Sequence, residues 1–169
     1  YIVRMSIRIV FMGTPDYAAS QLEWLVQAGY QVVGCVSQPD RPAGRGRKLT
    51  SPSVKVTSDQ LGIPCLQPED LQSSNFHQDL KAFKADLFVV VAYSILPQEV
   101  LAIPPKGSVN LHTSLLPLYR GAAPIQWSVL NGDHQTGLTV FQLDEKMDHG
   151  PVLVRDTLAI EVGDSSGVI

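Results

Sequence analysis

Ile7-Arg8-Ile9-Val10-Phe11-Met12-Gly13-Thr14-Pro15-Asp16 is the stretch on which the fold turns. Apart from Arg8, residues 7–12 form one apolar run, as expected of a central parallel strand covered on both faces. Gly13 to Asp16 then turns the chain into a helix, with Thr14 placed to cap it and Pro15 suited to its first position. Residues 17–28 carry apolar side chains near the helical period, and Gly29 closes the helix. The alternation continues, with strands expected over 31–37, 63–66, 86–92 and 107–112. Helices are expected over 51–62 and 75–84, with a short one over 97–102. Residues 38–50 read as a loop rich in Pro, Gly and Arg. Such alternation with short links predicts an α/β fold, a doubly wound and mostly parallel sheet. Beyond it the pattern changes. A helix over 123–130 ends at Asn131-Gly132, and strand-like runs over 136–143 and 152–161 flank residues 144–151. That pair predicts an antiparallel edge.

The chain has 169 residues, 44% hydrophobic and 17% charged, enough for one domain with a sizeable core. Its net charge of −3 gives no global pull toward nucleic acid, so any such pull must come from a local patch. The two cysteines, Cys35 and Cys65, lie in apolar strand-like runs and read as inert buried thiols, which fits a reducing compartment. The four histidines, His77, His112, His134 and His149, show no metal-binding spacing, and no metal is expected. No signal peptide and no membrane-length apolar run is visible, so the expected location is the cytoplasm or an organellar matrix. Met5 reads as a natural start, with residues 1–4 an upstream remnant. Residues 163–169 read as a loop before a further helix, which suggests a domain over 5–169 that is incomplete at its C-terminal end.

Ligands of open α/β sheets bind beyond the carboxyl ends of the strands. Four features fall there: Gly13-Thr14-Pro15-Asp16, the Arg-rich loop, Ala92-Tyr93-Ser94, and Asn110-Leu111-His112-Thr113-Ser114-Leu115-Leu116-Pro117. Asn110 and His112 are two apart and share one face of a strand. An amide can donate to a developing oxyanion, and an imidazole can carry a proton near neutral pH. Asp148, in Asp148-His149-Gly150-Pro151, could orient that imidazole or relay a proton through water. Spacing alone leaves the plainer alternative open: a strand-end Asn, a satisfied polar His and an Asp in a turn.

The run from Asn110 to Pro117, with Tyr119-Arg120-Gly121-Ala122-Ala123-Pro124-Ile125-Gln126 after it, resembles the signature of the 10-formyltetrahydrofolate-dependent formyltransferases. Asp148 and Gly150-Pro151 match the later acidic loop of that family. The resemblance extends over nearly all of the chain after Met5 and implies the Rossmann-like formyltransferase fold. It also implies a reaction in which a substrate amine attacks the formyl carbon on folate N10. By resemblance Asn110 and His112 would bind the tetrahedral oxyanion, and Asp148 would support His112 and shuttle protons. Ser114, Leu115, Leu116 and Pro117 would border the folate, as would Val91, Ala92, Tyr93, Ile95, Leu96 and Pro97. One departure stands out. Tyr93-Ser94-Ile95-Leu96-Pro97 is one residue shorter than the family pattern and lacks its Gly.

The choice of amine rests on Gln38-Pro39-Asp40-Arg41-Pro42-Ala43-Gly44-Arg45-Gly46-Arg47-Lys48. Residues 40–48 hold four basic side chains and one acid, a local +3 on a chain whose remainder carries −6. A basic loop on an acidic body is a localised electrostatic footprint, although an Arg-rich loop can also be merely solvated. Beside the formyl-transfer signature it resembles the loop with which tRNA-acting members of the family engage the acceptor stem. Arg45, Arg47 and Lys48 would then contact tRNA, and Arg41 would support the loop. The implied substrate is the α-amine of initiator methionyl-tRNA, and the implied co-substrate 10-formyltetrahydrofolate. No membrane and no obligate protein partner is implied. The tRNA-acting members carry a C-terminal tRNA-binding domain that this sequence lacks. The rivals are formylation of a small amine such as glycinamide ribonucleotide or an amino sugar, a non-catalytic RNA-binding module, and an inactive fragment.

Overall fold

The computed structural model describes residues 7–43 and 48–169, and the chain divides into two compact units, one through Ser108 and one from Val109. The first unit is built on β1 (Arg8–Gly13), flanked in parallel by β2 (Gln31–Val36) and β6 (Leu87–Val91). β5 (Cys65–Leu66) extends the sheet beyond β2. A strand paired on both sides and covered on both faces must be apolar throughout. Accordingly Val10, Phe11 and Met12 are fully buried, together with Val36, Phe88 and Leu22. The helices of this unit are α1 (Asp16–Gln27), α2 (Ser53–Gln60), α3 (Ser74–Ala82) and α4 (Gln98–Leu101). Helix α1 buries Ala18, Ala19 and Leu22. At Gly13 a Cβ would lie 2.8 Å from both the Ala18 Cβ and the Val91 carbonyl oxygen, so glycine is what lets α1 approach β1 and β6 so closely.

The turn into α1 differs from the sequence expectation. Pro15 is the N-cap with extended backbone, and the buried Thr14 hydroxyl has no hydrogen-bond partner among the described residues rather than capping. What ties the turn down lies on α2. The Ser53 hydroxyl donates to the Asp16 carboxylate, and the Val54 N–H donates to the Thr14 carbonyl at 3.4 Å. Residues 38–50 also hold more structure than a loop: β3 (Arg41–Ala43) pairs antiparallel with β4 (Lys48–Thr50). Proline is tolerated in such an edge ribbon, which is why a Pro- and Arg-rich segment conceals it. Cys35 and Cys65 are free thiols and direct register partners across β2 and β5. Cys35 is buried as expected, whereas Cys65 is only half-buried. Burial pushes both thiols up, away from the reactive thiolate.

The second unit opens on β7 (Ser108–His112), which pairs antiparallel with β8 (Gln135–Gln142), and β8 pairs antiparallel with β9 (Val152–Ala159). Between β7 and β8 runs α5 (Pro124–Leu130), with Pro124 in its first turn and Ala123 as its N-cap. Phe141 and Thr139 of β8 are fully buried, while every residue of β9 is exposed. Parallel strands with helices in one unit and antiparallel strands in the other make up the mostly parallel, mixed α/β class read from the sequence.

Candidate active site

Strand β7 places the half-buried Asn110 opposite Phe141 and the buried His112 opposite Thr139. Among the described residues the Asn110 amide has no hydrogen-bond partner, so none of them engages its donors. His112 is held more firmly. Its Nε2 lies 2.8 Å from the carbonyl oxygen of Tyr119. A carbonyl only accepts, so Nε2 carries the proton. Nδ1 faces Asp148, 3.7 Å from Oδ2. That is too long for a hydrogen bond but within ion-pair distance of the carboxylate.

Asp148 sits between β8 and β9 with φ of +48°, in the left-handed region that Asp tolerates better than most residues. Its Oδ2 accepts the Gly121 N–H at 2.7 Å, and its carbonyl accepts Arg120 Nε–H at 2.8 Å. The segment Tyr119-Arg120-Gly121 thus touches both His112 and Asp148. The neighbouring His149 turns away to Asp144, with Nδ1 3.4 Å from Oδ2, both side chains exposed. Of the two imidazoles in the quoted motifs, only that of His112 faces Asp148.

The Ser114–Pro117 turn is braced by Thr139. The Thr139 hydroxyl donates to the Ser114 carbonyl at 2.6 Å and accepts the Leu116 N–H at 3.1 Å. The Ser114 hydroxyl donates to the Leu118 carbonyl at 2.6 Å. Leu116 is buried, Leu115 half-buried and Pro117 exposed, and the Leu116–Pro117 bond is cis.

In the first unit Val91 and Leu96 are buried, Ile95 is exposed, and Pro97 is the N-cap of α4. Ala92 takes φ of +48°, a conformation that costs a non-glycine residue about 1–2 kcal/mol. The buried Tyr93 hydroxyl has no partner among the described residues, and burial pushes its pKa up to about 12. Ser94 accepts the Gln38 side-chain amide at 2.6 Å. The Gln67 amide donates to the Gln38 carbonyl at 2.9 Å and to Asp40 at 2.7 Å, anchoring the stem of the basic segment. Arg41 and Lys48 are exposed on β3 and β4; Arg45 and Arg47 lie outside the described residues. Sequence reasoning missed Gln67 and the hold of Tyr119-Arg120-Gly121 on the site. Gln67 bonds residues 27 and 29 positions away, and the 119–121 segment acts through the Tyr119 carbonyl and the Gly121 N–H, so neither leaves a mark in local side-chain spacing.

Residues 7–169 match the formyl transferase family model. The chain belongs to the formyl transferase family. It is 48% identical to a methionyl-tRNA formyltransferase of Desulforamulus reducens over 96% of its length and 52% of that protein's. To the methionyl-tRNA formyltransferase of Desulfotalea psychrophila it is 50% identical, over 97% and 51%. This formyl transferase chain therefore spans about half the length of the curated relatives it matches. Among solved structures it shares its fold with a phosphoribosylglycinamide formyltransferase of Bacillus halodurans, with TM-score 0.76 and 21% identity over 95% of this chain and 84% of that one. A formyltetrahydrofolate deformylase of Pseudomonas syringae shares it too, with TM-score 0.74 and 20% identity over 98% and 55%. Among the described residues no helix is long and apolar enough to cross a membrane, and no group of three or more His, Cys, Asp or Glu could hold a metal ion.

Within the family motif Gly150 has a spatial role. It is buried, and a Cβ there would fall on the Gln142 carbonyl oxygen. Gly150→Ala is expected to push the 144–151 segment off the end of β8. Chemical denaturation should show a loss of about 1–3 kcal/mol, typical of overpacking.

Proposed function

We propose that this chain carries the catalytic part of an enzyme that transfers a formyl group from 10-formyltetrahydrofolate to the α-amine of initiator methionyl-tRNA. The observation that carries the chemistry is the pairing of an uncommitted Asn110 amide with a His112 whose Nδ1 faces Asp148. Family membership and the names of the relatives support the reaction and the substrate.

In this mechanism the methionyl nitrogen attacks the formyl carbon, and the carbonyl π pair moves onto oxygen. The Asn110 NH₂ donates to that oxygen, where negative charge develops. The ring of His112, protonated at Nδ1, stabilises the same charge, and Asp148 stabilises the imidazolium. Collapse re-forms the carbonyl and breaks the bond to N10. The attacking amine loses a proton and N10 gains one, with Asp148 and a water completing the relay. No metal and no covalent enzyme intermediate is needed.

The folate contacts proposed are Ser114, Leu115, Leu116 and Pro117, and Val91, Ala92, Tyr93, Ile95, Leu96 and Pro97. The tRNA contacts proposed are Arg45, Arg47 and Lys48, with Arg41 in support. The +3 charge of residues 40–48 supports this assignment. Formylation assays on methionyl-tRNA and on glycinamide ribonucleotide, with the same folate donor, test the substrate. Turnover of the small amine alone would overturn it. Arg45→Ala is expected to raise KM for tRNA and to flatten the salt dependence of tRNA binding by about one unit of the log–log slope. Folate affinity should not change.

A further inference from the structure

We propose that Tyr119 is a positioning residue that fixes which nitrogen of His112 is free to take up a proton, and that its hydroxyl anchors it to the end of α5 through Asp133 and Asn131. The significance for catalysis rests on the formyl-transfer reading; the positioning itself does not. Tyr119 is half-buried and holds φ of +53°, an unfavourable backbone for a bulky side chain. Such a conformation persists only where its surroundings enforce it. Here the enforcement is visible. The Tyr119 hydroxyl donates to Asp133 Oδ2 at 2.5 Å and accepts from Asn131 Nδ2 at 2.9 Å. Asn131 is the C-cap of α5, its N–H bonded to the Trp127 carbonyl at 3.0 Å, and the Asp133 N–H bonds the Ser128 carbonyl at 3.0 Å. The aromatic side chain is thus a strut from a helix end to the peptide group that receives His112 Nε2–H.

The position of that peptide carbonyl decides the tautomer. With Nε2–H engaged, the neutral ring keeps its lone pair on Nδ1, toward Asp148. If the carbonyl moves, Nε2–H loses its acceptor, and the neutral ring gains by placing its proton on Nδ1, toward the Asp148 carboxylate. The Nε–H of Arg120 is engaged by the Asp148 carbonyl rather than by the carboxylate. The hydroxyl of Tyr119 therefore acts on the proton of a different residue, through its own backbone.

Nitrogen-15 NMR of the 169-residue chain reads the His112 tautomer directly. The native chain is expected in the Nε2–H form when neutral. Tyr119→Phe keeps the ring and loses the strut, and should shift the tautomer ratio toward Nδ1–H by about fivefold, the effect of one lost hydrogen bond. Asp133→Ala should do the same, whereas Asp133→Asn, which keeps an acceptor for the hydroxyl, should restore the native spectrum. In formyl transfer, Tyr119→Phe should lower kcat and leave KM for tRNA unchanged. A native tautomer ratio in both Tyr119→Phe and Asp133→Ala overturns the proposal; should the Phe variant fail to fold, the Asp133→Ala and Asp133→Asn pair decides it. A shifted tautomer without any formyl transfer by the native enzyme would sink the functional reading and leave the strut standing.

Discussion

His112→Ala is expected to reduce formyl transfer to methionyl-tRNA by about 10²–10⁴-fold, the range for loss of a positioned proton carrier. The loss should fall on kcat, because the Tyr119 carbonyl and Asp148 already position the ring. Its contribution grows as the oxyanion forms and is small in the ground state. His112 is buried, so the variant also vacates packed space, and its circular dichroism and melting curve must be compared with those of the native chain. A folded variant that retains more than about a tenth of the native rate would remove His112 from the chemistry. His149, which turns to the exposed Asp144, provides the contrast: its alanine variant should leave the transfer rate near native.

Asn110→Ala should lower kcat by about 10²–10³-fold, as when an oxyanion donor is removed elsewhere. This variant is the cleaner of the two. The Asn110 amide bonds no other described residue, so its removal leaves no orphaned partner. Stability should stay within about 0.5 kcal/mol of native. A rise in KM for both substrates with kcat unchanged would make Asn110 a ground-state binder instead. Asn110→Asp preserves volume but replaces the donors with an acceptor beside developing negative charge. Its rate should fall at least as far as that of the alanine variant.

The parallel strands were legible because each is an apolar run closed by turn residues. β1, β2 and β6 lie within a residue or two of their expected limits, as does β7, which pairs antiparallel with β8. The shared face of Asn110 and His112 was equally legible, since alternation along a strand is a local property. Asp148 was not placed by spacing. Its approach to His112 depends on antiparallel pairing of β8 with its neighbours and on a left-handed residue in the connection, and neither is local. The sequence offered it as one possible partner of the imidazole, and the family resemblance tied it to His112. Thr14 misled because a capping residue type is no guarantee of a cap: Pro15 took the N-cap position, and α2 bonded the turn instead. The ribbon of β3 and β4 was hidden by its proline and by strands of three residues each. The Tyr119 strut could not be seen at all, because its working end is a peptide carbonyl.

Strand β9 has a consequence for how the molecule meets other chains. It is the outer strand of the second unit, its eight residues all exposed, and it carries Val152, Leu153, Val154 and Leu158. A bare backbone edge of that length is a template for another strand, from the same protein or a different one. Arg155 and Asp156 stand in its centre, side by side in sequence and so on opposite faces. They act as gatekeepers, since an incoming strand would have to accommodate a cation on one side and an anion on the other. Two opposite charges thus stand in the middle of the exposed outer strand of this unit.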